Sequence, residues 1–223
     1  MKWVISLAAV LAASGCGASD ADKALAAKCV PDADRLLSLK YAAFDQDPGG
    51  GWRSLTAQTG CDGAIADLIA RYRKSKGKEP GQAKTLEWHE AQARAMAGQT
   101  ERAIKLFQHQ AELPGADDPS PYGVADALYR DATIAFLQND RPALEAARSK
   151  LAAVPEPPEF AQVRVKLNAK FPAARTPGWP MNLDVVDGLI ACFDKPYKQA
   201  YGDAACRQAP GQPRATGAGN AGR

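Results

Sequence analysis

Histidine is almost missing from this chain: two, His89 and His109, stand among 223 residues. His89-Glu90 opens like the zinc-protease pattern H-E-x-x-H, but the residue four beyond His89 is Ala93. A helical zinc pair needs its second imidazole one turn on, so the metalloprotease reading fails. In a hairpin turning near residue 99, His89 and His109 would share a height. His109, however, lies about 200° round the helix from Phe107 and is expected to point outward, so no metal site is expected. No G-x-S-x-G elbow and no G-x-x-x-x-G-K-[ST] loop occurs, which removes the common serine-nucleophile and phosphate-cradling motifs. Gly49-Gly50-Gly51-Trp52 is followed by no lysine at the needed spacing and reads as a flexible connection closed by a buried tryptophan. A long basic block is also lacking. The 28 Lys and Arg are interspersed with 25 Asp and Glu, leaving a net charge of +3, so nucleic-acid binding is not implied. The one basic cluster, Arg71 to Lys78, reads as a helix C-terminus, where cations oppose the helix dipole. No cofactor is expected.

What is present begins with the leader. Lys2 precedes an apolar run, Val4 to Ala13, too short for the roughly 20 residues of a bilayer span. Ala13-Ser14-Gly15-Cys16 then resembles a bacterial lipobox, with Ala13 where that motif usually has Leu. The resemblance implies a signal peptide over residues 1–15, lipidation of Cys16, and an anchor and linker over 16–31. It places the protein in the periplasm, held to the outer membrane through its lipid. Ordinary cleavage near Ala18-Ser19, or between Gly17 and Ala18, is the alternative.

Removing or lipidating Cys16 leaves an even set of four among the five cysteines: Cys29, Cys61, Cys192 and Cys206. In an exported protein that reads as a disulfide framework. Cys29 and Cys61 both precede helices, and an up-down-up path between them returns the second start to the first. Cys192 and Cys206 are then left for each other. In one straight helix they would lie about 21 Å apart, so the chain must reverse between them, at Asp194-Lys195-Pro196 or Gly202-Asp203.

Helical spacing dominates the rest, and the fold class expected is all-α. Ile65, Leu68, Ile69 and Tyr72 sit at i, i+3, i+4, i+7, and Val186, Leu189, Ile190 and Phe193 repeat that spacing. Pro/Gly punctuation separates helices expected over 32–44, 52–59, 62–75, 83–97, 100–112, 122–138, 141–153, 159–170 and 183–193, with a short one after Pro196. Residues 32–208 form one domain. The tail, 209–223, is Gly, Ala and Pro with almost no large apolar residue, and is expected to be disordered.

The middle of the chain repeats at an offset of 41. Trp88 matches Tyr129, Glu90 matches Asp131, Ala91 matches Ala132, Gly98 matches Asn139 and Pro114 matches Pro155. Gly and Asn best accept a left-handed helix cap, so each unit reads as helix, tight turn, helix, stop. This arrangement resembles the tetratricopeptide repeat family, with hairpins at about 83–113 and 122–154. Gly98 falls on the turn glycine, Ala103 on the small residue of the second helix and Phe107 on its aromatic. Leu144 and Arg148 replace those last two in the second unit, and the period exceeds the family's usual 34.

The resemblance implies a short solenoid, closed by capping helices, whose concave groove is lined by Trp88, Gln92, Tyr129 and Thr133. It further implies a non-catalytic module binding a peptide or protein partner on the periplasmic side. Two alternatives stand beside it. One is a cell-wall hydrolase using Glu90 and Asp131, although Glu90 has a plain ion-pair partner in Arg94 at i, i+4. The other is an immunity or inhibitor lipoprotein acting against a toxin.

Overall fold

A computed structural model describes residues 20–77, 79–170 and 178–207. The leader with Cys16, and the tail over 209–223, lie outside the described residues. All regular structure among those residues is helical: α1 Asp20–Cys29, α2 Ala33–Ser38, α3 Asp62–Lys76, α4 Pro80–Met96, α5 Thr100–His109, α6 Pro121–Leu137, α7 Arg141–Ala152, α8 Pro158–Lys170, α9 Leu183–Ala191 and α10 Tyr197–Gly202. No helix among them is long and apolar enough to cross a membrane.

The 41-residue offset is physical. α4 and α6 start and end 41 residues apart, each with Pro in its first turn, and α5 and α7 start 41 residues apart. The turns between them carry the same hydrogen bonds. Gln99 N–H donates to Arg94 O at 2.9 Å and Gly98 N–H to Ala95 O at 3.1 Å; Asp140 N–H donates to Ala135 O at 2.9 Å and Asn139 N–H to Phe136 O at 3.0 Å. This is the Schellman closure, which needs a left-handed residue at its centre. Gly98 has φ +72° and Asn139 φ +58°. Ser120 and Asp140 then cap α6 and α7, their side chains accepting from Gly123 N–H and Ala143 N–H.

α4 is the central element. Ala91 and Ala95 belong to a core shared with α5, α6, α7, α9 and α10, which contains Ala103, Phe107, Leu144, Leu151, Val186 and Leu189. Leu86 and Ala93 face the other way, into a second core built from α3 and the N-terminal segment. A helix covered on two sides needs partners for the polar groups it buries, and α4 carries Glu87, His89, Glu90 and Arg94; of these, Arg94 Nε is left without one among the described residues.

Both disulfides, Cys29–Cys61 and Cys192–Cys206, form as the spacing predicts, with Cα–Cα distances of 5.4 and 5.6 Å. The N-terminal segment differs from the reading above. The stretch read as anchor and linker carries α1, and Cys29 and Val30 at its end are buried. The helix expected over 32–44 stops at Ser38 and resumes as a π-helical turn over Ala42–Gln46. Tertiary contacts override helix propensity here. Phe44 stacks on Tyr72 at 3.6 Å between ring centroids, and Asp45 is drawn under α4. The helix expected over 52–59 is a 3₁₀ turn, Gly51–Leu55. Gly51 has φ +51°, and a Cβ there would fall 1.9 Å from Phe44 O. Only glycine permits that approach.

Candidate functional site

Trp88 and Tyr129, matched by the repeat, come together. Their ring centroids are 5.3 Å apart, and Trp88 also meets Phe107 edge-on at 4.9 Å. Trp88 is half-buried and Tyr129 buried. Both line a cavity of about 330 Å³ between the first half of α4, the loop after α5 and the first half of α6. Lys84 and Trp88 stand one turn apart on α4. Tyr122, Asp126 and Tyr129 run along one face of α6.

The other two expected groove residues turn elsewhere. Gln92 Nε2 donates to the Tyr129 hydroxyl at 3.4 Å and the Tyr201 hydroxyl at 3.5 Å, so it sits behind the cavity against α10. Thr133 does not reach the surface: it is fully buried, and its hydroxyl donates to Tyr129 O at 2.9 Å. One turn beyond Tyr129 the helix face has already rotated into the core, and a buried hydroxyl bonds its own backbone there. Burial, followed by the nearby Tyr197 and Tyr201, pushes the Tyr129 phenol well above its ordinary pKa, so it acts as a neutral hydroxyl.

Glu90 and Asp131 do not share a pocket. Glu90 is buried between α3 and α4, where its Oε2 accepts from Arg73 at 2.8 Å and its Oε1 from Arg94 at 3.3 Å. The expected ion-pair partner, Arg94, is found, and Arg73 joins it at a shorter distance. Asp131 is exposed on α6, beside Arg130. Glu87 joins the buried cluster. Its Oε2 accepts from Arg73 at 2.8 Å, and its Oε1 from His109 Nδ1 at 2.7 Å and Gln110 Nε2 at 3.0 Å. Arg94 reaches Asp67 and Gln99 at 2.7 Å each. Positions 87, 90 and 94 share one helical face, and the basic run at the end of α3 lies opposite. That i, i+3, i+7 charge stripe was the sequence signal for this network.

His109 is half-exposed, and its pKa is raised by the hydrogen bond and the negative charge of Glu87. A raised folded-state pKa contributes stability below the unfolded histidine value of about 6.5 that is lost as pH rises through the folded value. The urea midpoint of the wild type is therefore expected to fall over the first pH units above 6.5, and that of His109→Gln to stay flatter. Parallel curves for the two proteins would contradict the assignment.

A second polar node had no local sequence signal. Asp45 is fully buried, and its Oδ1 accepts from Trp52 Nε1 at 2.9 Å and from His89 Nδ1 at 2.8 Å. Burial alone would raise its pKa. The hydrogen bond and charge of His89, then Trp52 and Arg53, outweigh it and hold the carboxyl below its ordinary value. An Asp–His pair orients the base in a serine triad. Here the far nitrogen, Nε2, is engaged by Arg53 NH2 at 3.3 Å, whose guanidinium lies 4.2 Å over the Trp52 ring. The node thus fastens the N-terminal segment to α4. His89 and His109 serve separate carboxylates, and among the described residues no group of three or more His, Cys, Asp or Glu is placed to hold a metal ion.

Comparison with family models, with characterised proteins and with solved structures finds no match to this chain.

Proposed function

We propose that the protein is a non-catalytic, periplasmic binding module of tetratricopeptide-like hairpins, tethered to the outer membrane through a lipid on Cys16. Its partner is a peptide or protein, which it engages at the cavity beside Trp88. The observation that carries the reading is that cavity: two aromatic residues at matched repeat positions open onto a concavity at the junction of two helix pairs. Such concavities, mostly apolar with a few polar groups, are where small ligands and peptide side chains are held. Two disulfides support an oxidising compartment. The carboxylates of the hydrolase alternative are separately engaged, Glu90 by Arg73 and Arg94 and the exposed Asp131 by Arg130, so the geometry lends that alternative no support.

The test is photocrosslinking in cells. A photoreactive amino acid replaces Thr85, partly exposed at the cavity, and in a control Glu145, exposed on α7. A peptide or protein adduct is expected at position 85 and not at 145. Equal adducts at both positions, or none at either, would overturn the reading.

A further inference from the structure

The charges around the cavity are not equally committed. Asp118 spends both carboxylate oxygens on Ser120, accepting from its N–H at 2.9 Å and from its hydroxyl at 2.8 Å. Arg130 is turned toward Asp131. Gln110 donates to Glu87 and to the Lys84 carbonyl. That leaves the Lys84 ammonium and the Asp126 carboxylate. Neither has a hydrogen bond or ion pair among the described residues, and no ion pair joins them across the cavity. Asp126 is exposed, yet the protein around its carboxyl raises its pKa, and Lys84 only partly offsets this.

A carboxylate at the cavity that no described side chain engages can take a ligand ammonium in a charge-assisted hydrogen bond. The same holds with opposite sign for Lys84. The same cavity is lined by Trp88 and Tyr122, which offer aromatic surface to an apolar side chain or a cation. At about 330 Å³ the space is at the small end of ligand pockets, so the ligand is small.

We infer that this cavity binds a small zwitterion, an amino acid or dipeptide, with its ammonium at Asp126, its anionic group at Lys84 and its side chain against Trp88 and Tyr122. The inference rests on the binding reading above and narrows its ligand. The shared chemistry, one ammonium and one anion a few ångströms apart, also belongs to a phosphoethanolamine headgroup.

Calorimetry on the full chain tests it, with L-leucine, L-leucyl-L-alanine, L-leucine methyl ester, N-acetyl-L-leucine and glycerophosphoethanolamine as probes. At least one zwitterion should bind, and the methyl ester and the N-acetyl compound should bind at least tenfold more weakly than leucine. Asp126→Asn and Lys84→Gln should each weaken the zwitterion tenfold or more without moving the melting temperature of the free protein. Binding of glycerophosphoethanolamine in place of the amino acids supports the same charge pair and assigns it to a headgroup. No binding by any probe, equal binding of the singly charged analogues, or wild-type affinity in both variants overturns the inference. If calorimetry is empty while a partner still crosslinks at position 85, the binding module stands and the zwitterion site falls. Empty crosslinking and empty calorimetry together remove both.

Discussion

Arg73→Met is expected to cost about 3–5 kcal/mol of stability, the usual loss when one member of a buried ion pair is removed. Arg73 is the cation that Glu87 and Glu90 share, and their side chains are only 5% and 7% exposed. Without it Glu87 keeps His109 and Gln110, and Glu90 keeps Arg94 at 3.3 Å. Two nearly buried carboxylates one turn apart then repel each other with a single full cation between them. For a chain of this size the melting temperature should fall by roughly 6–20 °C. The triple change Arg73→Met, Glu87→Gln, Glu90→Gln removes charge from both sides and should recover most of the loss, since an uncharged replacement of a buried pair is often neutral. A loss under about 1 kcal/mol for Arg73→Met would show that the network behaves as a solvated surface pair.

The same network explains which parts of the molecule were legible in the sequence. The hairpins could be read because their information is local. Gly98 and Asn139 allow the left-handed closure, Ser120 and Asp140 supply the caps, and apolar residues recur at helical spacing. Cysteine pairing could be read because chain geometry leaves few ways to satisfy it. Repeat register matched Trp88 to Tyr129 without showing that their rings touch, and the tetratricopeptide resemblance put Ala103 and Phe107 on the inner face of α5, where both are buried. Thr133 was misplaced because register gives a residue's position along a helix, not the neighbour covering it. In this chain α6 packs against α7, α9 and α5, and Thr133 is fully buried. Asp45 could not be placed at all. Its partners are Trp52, in a segment read as an ordinary helix, and His89, 44 residues away. Aspartate in an Asp-Gln-Asp-Pro stretch is ordinary turn chemistry, and nothing within a few residues says that this one is buried. Helix propensity over 32–44 was overruled by the same contacts, since the Phe44–Tyr72 stack and the Asp45 node require a kinked path.

Losing the Cys29–Cys61 bridge is the second large effect expected. The bond closes a loop of 32 residues, against 14 for Cys192–Cys206. In the chain-entropy account, restraint of the unfolded chain grows with the logarithm of loop length. That gives roughly 4 kcal/mol for the first bond and roughly 3 kcal/mol for the second. The native contacts around the first loop remain when the bond is gone. Phe44 still stacks on Tyr72, Asp45 still accepts from His89 and Trp52, and Lys76 still donates to the carbonyls of Ser38 and Leu39. Cys29→Ser/Cys61→Ser should therefore keep its helical circular dichroism at low temperature while its urea midpoint falls. Hydrogen exchange separates the two contributions. If the bond acts mainly on the unfolded chain, amides in α3 and α5 should lose protection by similar amounts in the double variant. If the bond instead holds the N-terminal segment in place, α2 and the Ala42–Gln46 turn should exchange early while α5 stays as protected as in the wild type. That second pattern, or a smaller loss of stability than Cys192→Ser/Cys206→Ser produces, would mean that packing around the loop outweighs its closure.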